Sequence, residues 1–193
     1  MKNINKLYNG RSLKVVAIAA ILSIVVTGCV KENFKYQYSA PNDKLGINAW
    51  EYIQQKDSLS LMEEAVTAAG LQQYYSGTTE YTFIVPRNSA FRSLFKAKKY
   101  EGISSIPVDS LRTMLAYHIV KAKVLFSDPA LLPKDNPIAY ETENGQTMYL
   151  SHNSSYQGLI NQGTKKVWTI ITSNLQPTNG VIHVTADIVY LAK

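Results

Sequence analysis

Tyr81-Thr82-Phe83-Ile84-Val85-Pro86-Arg87-Asn88-Ser89-Ala90-Phe91 sets two backbone habits side by side. Tyr, Thr, Phe, Ile and Val suit a pleated, half-buried surface. Pro86 has no N–H to carry such a ladder onward. The stretch therefore predicts a strand that stops at Pro86. Beyond it, Asn88 or Ser89 offers a side-chain oxygen to the orphan N–H groups of a short helix running through Ala90 to Phe95. Phe83, Val85 and Phe91 become core candidates, because apolar side chains beside turn residues are what a buried strand–helix junction requires.

Upstream the pattern is helical. Ile47, Trp50 and Ile53 recur at helical spacing, and Ser60 with Glu63 fits the capping box in which hydroxyl and carboxylate each take an orphan N–H. Leu61, Met62, Ala65, Val66 and Ala69 then form one apolar face, and Gly70 is placed to end the helix in a left-handed conformation. After Pro107, Asp109 or Ser110 is the expected cap for a helix from Leu111 to His118, with Leu111, Met114, Leu115 and His118 on one face. Downstream the period changes to two. Ile138–Thr142 and Gln146–Ser151 flank Glu143-Asn144-Gly145, a hairpin signal, and Lys166–Thr172 and Val181–Leu191 read as further strands, the latter entered through Asn179-Gly180. Helices first and strands later predict an α+β fold with helices packed against a sheet or sandwich. Val181, Ile182 and Val184 join the core candidates. Gly180 serves a backbone geometry that a Cβ would oppose.

Three segments, taken in order, resemble the fasciclin-like family. Tyr81 to Phe91 is similar to its first signature, Tyr117-His118 falls where the family has a Tyr-His pair, and Asn179-Gly180-Val181-Ile182-His183-Val184-Thr185-Ala186-Asp187-Ile188-Val189 is similar to its second. Arg87 stands where the family often has a small polar residue. The resemblance spans Leu45 to Lys193. It implies a compact β-wedge with several helices and a non-catalytic role in adhesion or binding, with the surroundings of Tyr117 and His118 as a candidate interaction site. The plainer reading of His118 and His183 is packing, since a buried imidazole hydrogen-bonded to backbone needs no other role.

The N-terminus reads differently. Lys2, Lys6, Arg11 and Lys14 precede an uncharged run from Val15 to Val26, and the chain's one cysteine follows in Val26-Thr27-Gly28-Cys29. A basic region ahead of an apolar one is an export signal, and the run is shorter than the roughly 20 residues that span a bilayer. The four residues ending at Cys29 resemble a bacterial lipobox. The expected organisation is a signal peptide over 1–28, a lipidated tether over 29–44 beginning at Cys29, and a fasciclin-like domain over 45–193. Several acyl chains on Cys29, at about 0.8 kcal/mol per buried CH₂, would hold the protein to a membrane without a spanning helix. Lys31-Glu32 behind the cysteine resembles the charged tethers of surface lipoproteins in Bacteroidetes. The expected location is the cell envelope, at the outer membrane and facing outward.

Charge follows the same division. The whole chain carries +6, but four of its 20 Lys and Arg lie before Cys29 and all 14 Asp and Glu lie after it, leaving sixteen against fourteen, or +2, beyond the signal. Nucleic acid is not an expected partner, because that would take a clustered basic face. His118, His152 and His183 never stand three or four residues apart, so neither a metal site nor any cofactor is expected. No nucleophile elbow, P-loop or dinucleotide fingerprint occurs. Glu63-Glu64 and Glu141/Glu143 read as solvated surface. Asp57-Ser58-Leu59 and Asp109-Ser110-Leu111 resemble a bacterial O-glycan acceptor pattern, but Ser58 and Ser110 read first as helix caps.

The sequence thus points to a lipid-anchored envelope module that binds a protein or polysaccharide and catalyses nothing. The alternative is an accessory glycan-binding lipoprotein of an outer-membrane polysaccharide uptake system. Tyr74, Tyr75, Tyr149 and Tyr156 are the candidate exposed aromatics, since tyrosine presents a flat apolar face and a polar tip. The segment Tyr74-Tyr75-Ser76-Gly77 is the first choice for an exposed loop.

Overall fold

A computed structural model describes residues 44–191. Cys29, the signal peptide and nearly all of the tether lie outside them. Five helices and seven strands follow one another as expected for an α+β chain: α1 (Ala49–Gln54), α2 (Ser60–Ala69), α3 (Gln72–Ser76), β1 (Tyr81–Pro86), α4 (Asn88–Lys98), α5 (Val108–Tyr117), then β2 (Ile119–Val120), β3 (Ile138–Glu141), β4 (Thr147–His152), β5 (Gly158–Ile160), β6 (Trp168–Leu175) and β7 (Gly180–Thr185).

The strands form one sheet in the order β2-β1-β7-β6-β5-β4-β3. Its two ends meet. Val120 bridges to Thr142, and the backbone N–H groups of Lys121 and Glu143 donate to the carbonyls of Glu141 and Ile119, each at 2.9 Å. The sheet is therefore close to a barrel, which pairs the edges that would otherwise template another chain. All neighbours are antiparallel except β1 and β7, which run parallel from Tyr81↔Gly180 to Pro86↔Thr185.

That parallel pair is buried on both faces, so Thr82 through Pro86 and all of β7 are inaccessible. Alternation sends Phe83, Val85, Ile182 and Val184 to a core shared with Met62, Val66, Phe91 and Leu115 of the helices. Ile84 points the other way, into the barrel with Val124, Met148, Leu150, Ile160, Trp168 and Ile170. One strand thus holds two cores together. Gly180 makes the junction possible: its φ is +144°, and a Cβ there would lie 2.0 Å from the Tyr81 carbonyl oxygen.

Several local expectations change. Ser60 does not cap α2, because a 3-10 turn (Asp57–Leu59) runs straight into it and leaves no extended residue to act as cap. The cap comes from Asn88, the first residue of α4. Its side-chain oxygen accepts from Leu61 N–H (2.9 Å) while its amide donates to the Asp57 carbonyl (2.8 Å) and Ser60 hydroxyl (3.0 Å). Neither Asn88 nor Ser89 caps α4 itself, where Arg87 is the extended residue. Asp109, Ser110 and Ser58 are not caps either, since α5 starts behind Pro107 and Ser58 lies within the 3-10 turn. Gly70 does adopt the left-handed conformation that ends α2, at φ 68°. The last strand stops at Thr185, whose hydroxyl donates to the Asp187 carbonyl (2.8 Å) and turns the chain.

Candidate functional site

Tyr117 and His118 lie where α5 ends, and both are buried. The His118 Nδ1–H donates to the Met114 carbonyl (2.8 Å), and Nε2 accepts from the Val189 N–H (3.0 Å). This needs the neutral ring, and burial favours it further, pushing the imidazole down to about 4 against the opposing pull of the Met114 bond. The Tyr117 hydroxyl donates to the Thr147 carbonyl (3.1 Å) and accepts from the Asn161 amide (2.9 Å). Burial raises its pKa, partly offset by Asn161. That same amide also donates to the Tyr190 carbonyl (3.1 Å). The pair therefore fastens the segment Val189-Tyr190 across the end of α5 from two sides.

What the pair positions is a surface. Over it opens a cleft of about 460 Å³ whose floor includes Met114, Tyr117 and Val189 and whose rim carries Asp109, Ser110, Thr113, Asn144 and Gln146. Asn144 belongs to the β3–β4 turn and donates to the Thr113 carbonyl (3.2 Å), so the turn and the helix form one wall. Met114 and Tyr190 also line a second cleft of about 480 Å³, between α4, Lys166 and the Asp187–Ile188 segment. Tyr190 stands on the boundary, 49% exposed. Its ring meets Trp168 edge-on at 4.8 Å, and the Lys166 ammonium lies 5.1 Å from its centroid. The result is an open, amide- and hydroxyl-rimmed surface around one held aromatic ring.

The other sequence candidates are elsewhere. Tyr75 is fully buried in α3 and stacks on Phe83 at 4.6 Å, while Tyr74 is half-buried and meets Tyr81 edge-on at 5.8 Å. The expected exposed loop is a one-turn helix whose aromatic residues face the core. Tyr149 is half-buried, and Tyr156 is 74% exposed at a hairpin tip. His183 is a packing residue: Nδ1 accepts from Asn174 N–H (3.1 Å), Nε2–H donates to the Val124 carbonyl (3.1 Å), and burial holds its pKa down to about 4. Among the described residues no three His, Cys, Asp or Glu side chains converge in a metal-holding group, and no helix is long and apolar enough to cross a membrane. Asn161 and Tyr190, which complete the site, were missed. Asn161 holds φ 60°, a conformation that asparagine tolerates, and this is the one local signal it offers.

Comparison with known proteins agrees with this architecture. The fasciclin domain family matches residues 57–190. A fasciclin-like arabinogalactan protein of Arthroderma benhamiae is 33% identical over 109 residues, which is 56% of this chain and 22% of that protein, so the chain spans under a quarter of its relative's length. The FAS1 domain pair of the insect cell adhesion molecule fasciclin I shares the fold with a TM-score of 0.62 at 13% identity, covering 75% of this chain and 51% of the pair. Domains of this kind are in general adhesion and binding modules. With one such domain built around Tyr81–Phe91, Tyr117-His118 and Asn179–Val189, the chain belongs to the fasciclin family.

Proposed function

We propose that this protein is a non-catalytic binding module of the bacterial cell envelope, tethered by lipid on Cys29, that presents the cleft over Tyr117 and His118 to a protein or polysaccharide partner. The observation that carries the reading is the way buried polar groups are spent. His118 bonds the Val189 N–H, and Asn161, itself bonded to the Tyr117 hydroxyl, holds the Tyr190 carbonyl, so buried polar groups fix the backbone that presents the half-exposed Tyr190 ring beside the cleft. Rigid aromatic groups with polar neighbours lose little entropy on binding and pack well against either kind of partner. Lipid at Cys29 supports a fixed location, since several acyl chains on one residue exceed what a single chain can hold. The surface-facing outer-membrane location rests on the lipobox resemblance and on Lys31-Glu32.

Proteinase treatment of intact cells tests this, with lysed cells and Cys29→Ala as controls. Digestion on intact cells, together with loss of the membrane-bound form in Cys29→Ala, is the expected result. Protection until lysis would remove adhesion to anything outside the cell. A variant that stays in the membrane without Cys29 would remove the lipid tether.

A further inference from the structure

We propose that Tyr156 is the contact residue of a second, separate binding site, a saccharide platform at the tip of the β4–β5 hairpin that takes the C–H face of a pyranose ring. The ring is 74% exposed, the most open of the large apolar side chains among the described residues. One face of it stacks on His152 at 5.2 Å and 26°, which leaves the opposite face free. His152 is itself buried, with both ring nitrogens at hydrogen-bond distance of backbone carbonyls, Asn153 at 2.8 Å and Leu132 at 2.9 Å. The support beneath the tyrosine is thus a buried ring seated against the backbone.

The loop is fastened as firmly. The Asn153 side-chain oxygen accepts from the N–H groups of Ser155 (2.9 Å) and Gln157 (3.1 Å), and the Asn153 backbone pairs with Tyr156 N–H (3.0 Å) and the Gln157 carbonyl (3.1 Å). At the hairpin base Gly158 approaches Phe126 so closely that a Cβ would lie 2.8 Å from its ring. Tyr156 nevertheless sits at φ 58°, which is unfavourable for an aromatic side chain and natural for Asn or Gly. An exposed aromatic ring held in the left-handed region carries a local conformational cost of the kind that clusters at ligand-binding positions.

The surroundings select the ligand class. A protein hot spot is ringed by contacts that exclude water, whereas Tyr156 is flanked by exposed Ser154, Ser155 and Gln157. Hydroxyls and an amide around one flat apolar face match a sugar, which offers axial C–H groups on its face and hydroxyls at its edge. The site shares no residue with the cleft over Tyr117 and His118, and the proposal does not depend on that cleft.

Native affinity electrophoresis of the full chain in detergent micelles tests it, with hydroxyethyl cellulose, arabinoxylan, glucomannan or galactan in the gel. At least one polysaccharide is expected to retard the protein. Tyr156→Ala and Tyr156→Leu should weaken that binding about tenfold, the value of one aromatic stack, while Tyr156→Trp keeps it and circular dichroism shows all three folded. Absence of retardation by all four, or retardation unchanged in Tyr156→Ala, would overturn the proposal. Loss in Tyr190→Ala with Tyr156→Ala unaffected would also overturn it and assign the sugar to the cleft.

Discussion

Replacing His118 with glutamine should remove half of an acid sensitivity that His118 and His183 build into the fold. Both His118 and His183 are held neutral in the folded state, at about 4, against about 6.5 for an exposed imidazole. The folded pKa lies below the unfolded one, so between these values the unfolded chain binds protons that the folded chain refuses. Stability is then complete above about pH 6.5 and is lost as pH falls toward 4. Each histidine contributes a slope of about 1.4 kcal/mol per pH unit, or roughly 3 kcal/mol over the window. For both together the loss is comparable to the 5–15 kcal/mol that typically holds a domain. Carboxylates add their own acid dependence, so the comparison must be between proteins. Urea unfolding followed by the fluorescence of Trp50 and Trp168 at pH 7.5, 6, 5 and 4.5 gives the difference in stability between wild type and His118→Gln. That difference should be largest at pH 7.5, where lost bonds to Met114 and Val189 cost about 1–3 kcal/mol, and should fall by about 1.4 kcal/mol per pH unit below 6.5, vanishing or changing sign by pH 4.5. A difference that stays constant from pH 7.5 to 4.5 would refute the neutral, doubly bonded ring.

Three further outcomes follow from single contacts. Gly180→Ala places a methyl group 2.0 Å from the Tyr81 carbonyl at a φ closed to L-residues, so the parallel β1–β7 pair must break; a loss beyond about 4 kcal/mol is expected, seen as failure to fold or a thermal midpoint lower by more than about 10 °C. Asn88→Ala removes three hydrogen bonds that tie α4 to the start of α2; urea unfolding should register about 2–4 kcal/mol, well above an ordinary local cap. Tyr117→Phe leaves the Asn161 amide one partner short and should cost about 1–3 kcal/mol, while proteolysis or amide exchange shows Val189-Tyr190 loosened first.

Much of the fold was legible because its decisive segments obey local rules. Pro86 stops β1, Asn144-Gly145 turns β3 into β4, and Gly70 ends α2, each through a backbone preference that acts within a few residues. The misses are places where distant contacts override those preferences. Ile119-Val120 and Gly158–Ile160 are strands of two and three residues, too short to show a period and made into strands by their neighbours. Ser60 and Glu63 carry a capping-box pattern, yet Asn88 arrives from 27 residues away and takes the Leu61 N–H. Tyr74-Tyr75 before Ser76-Gly77 has the composition of a surface loop, and only the nearness of Phe83 and Tyr81 turns the rings inward.

The site followed the same division. Packing roles for His118 and His183 could be read from their place among apolar residues, and both are fully buried. Which surface Tyr117 and His118 serve could not, because the cleft is assembled from α5, the β3–β4 turn and the Val189-Tyr190 segment, with residues as far apart in the chain as Asp109 and Tyr190. Asn161 joins them through side-chain hydrogen bonds to Tyr117 and Tyr190, a long-range role that no spacing announces.

The central claim is that the face bounded by Tyr190 meets the partner. The most direct measurement places a photo-crosslinking benzoylphenylalanine at Tyr190, and at exposed Lys56 as control, in the full chain on living cells. Discrete adducts to an envelope protein or glycan from position 190, absent from position 56, are the predicted result. Adducts equal at the two positions, or none from 190, would contradict the account.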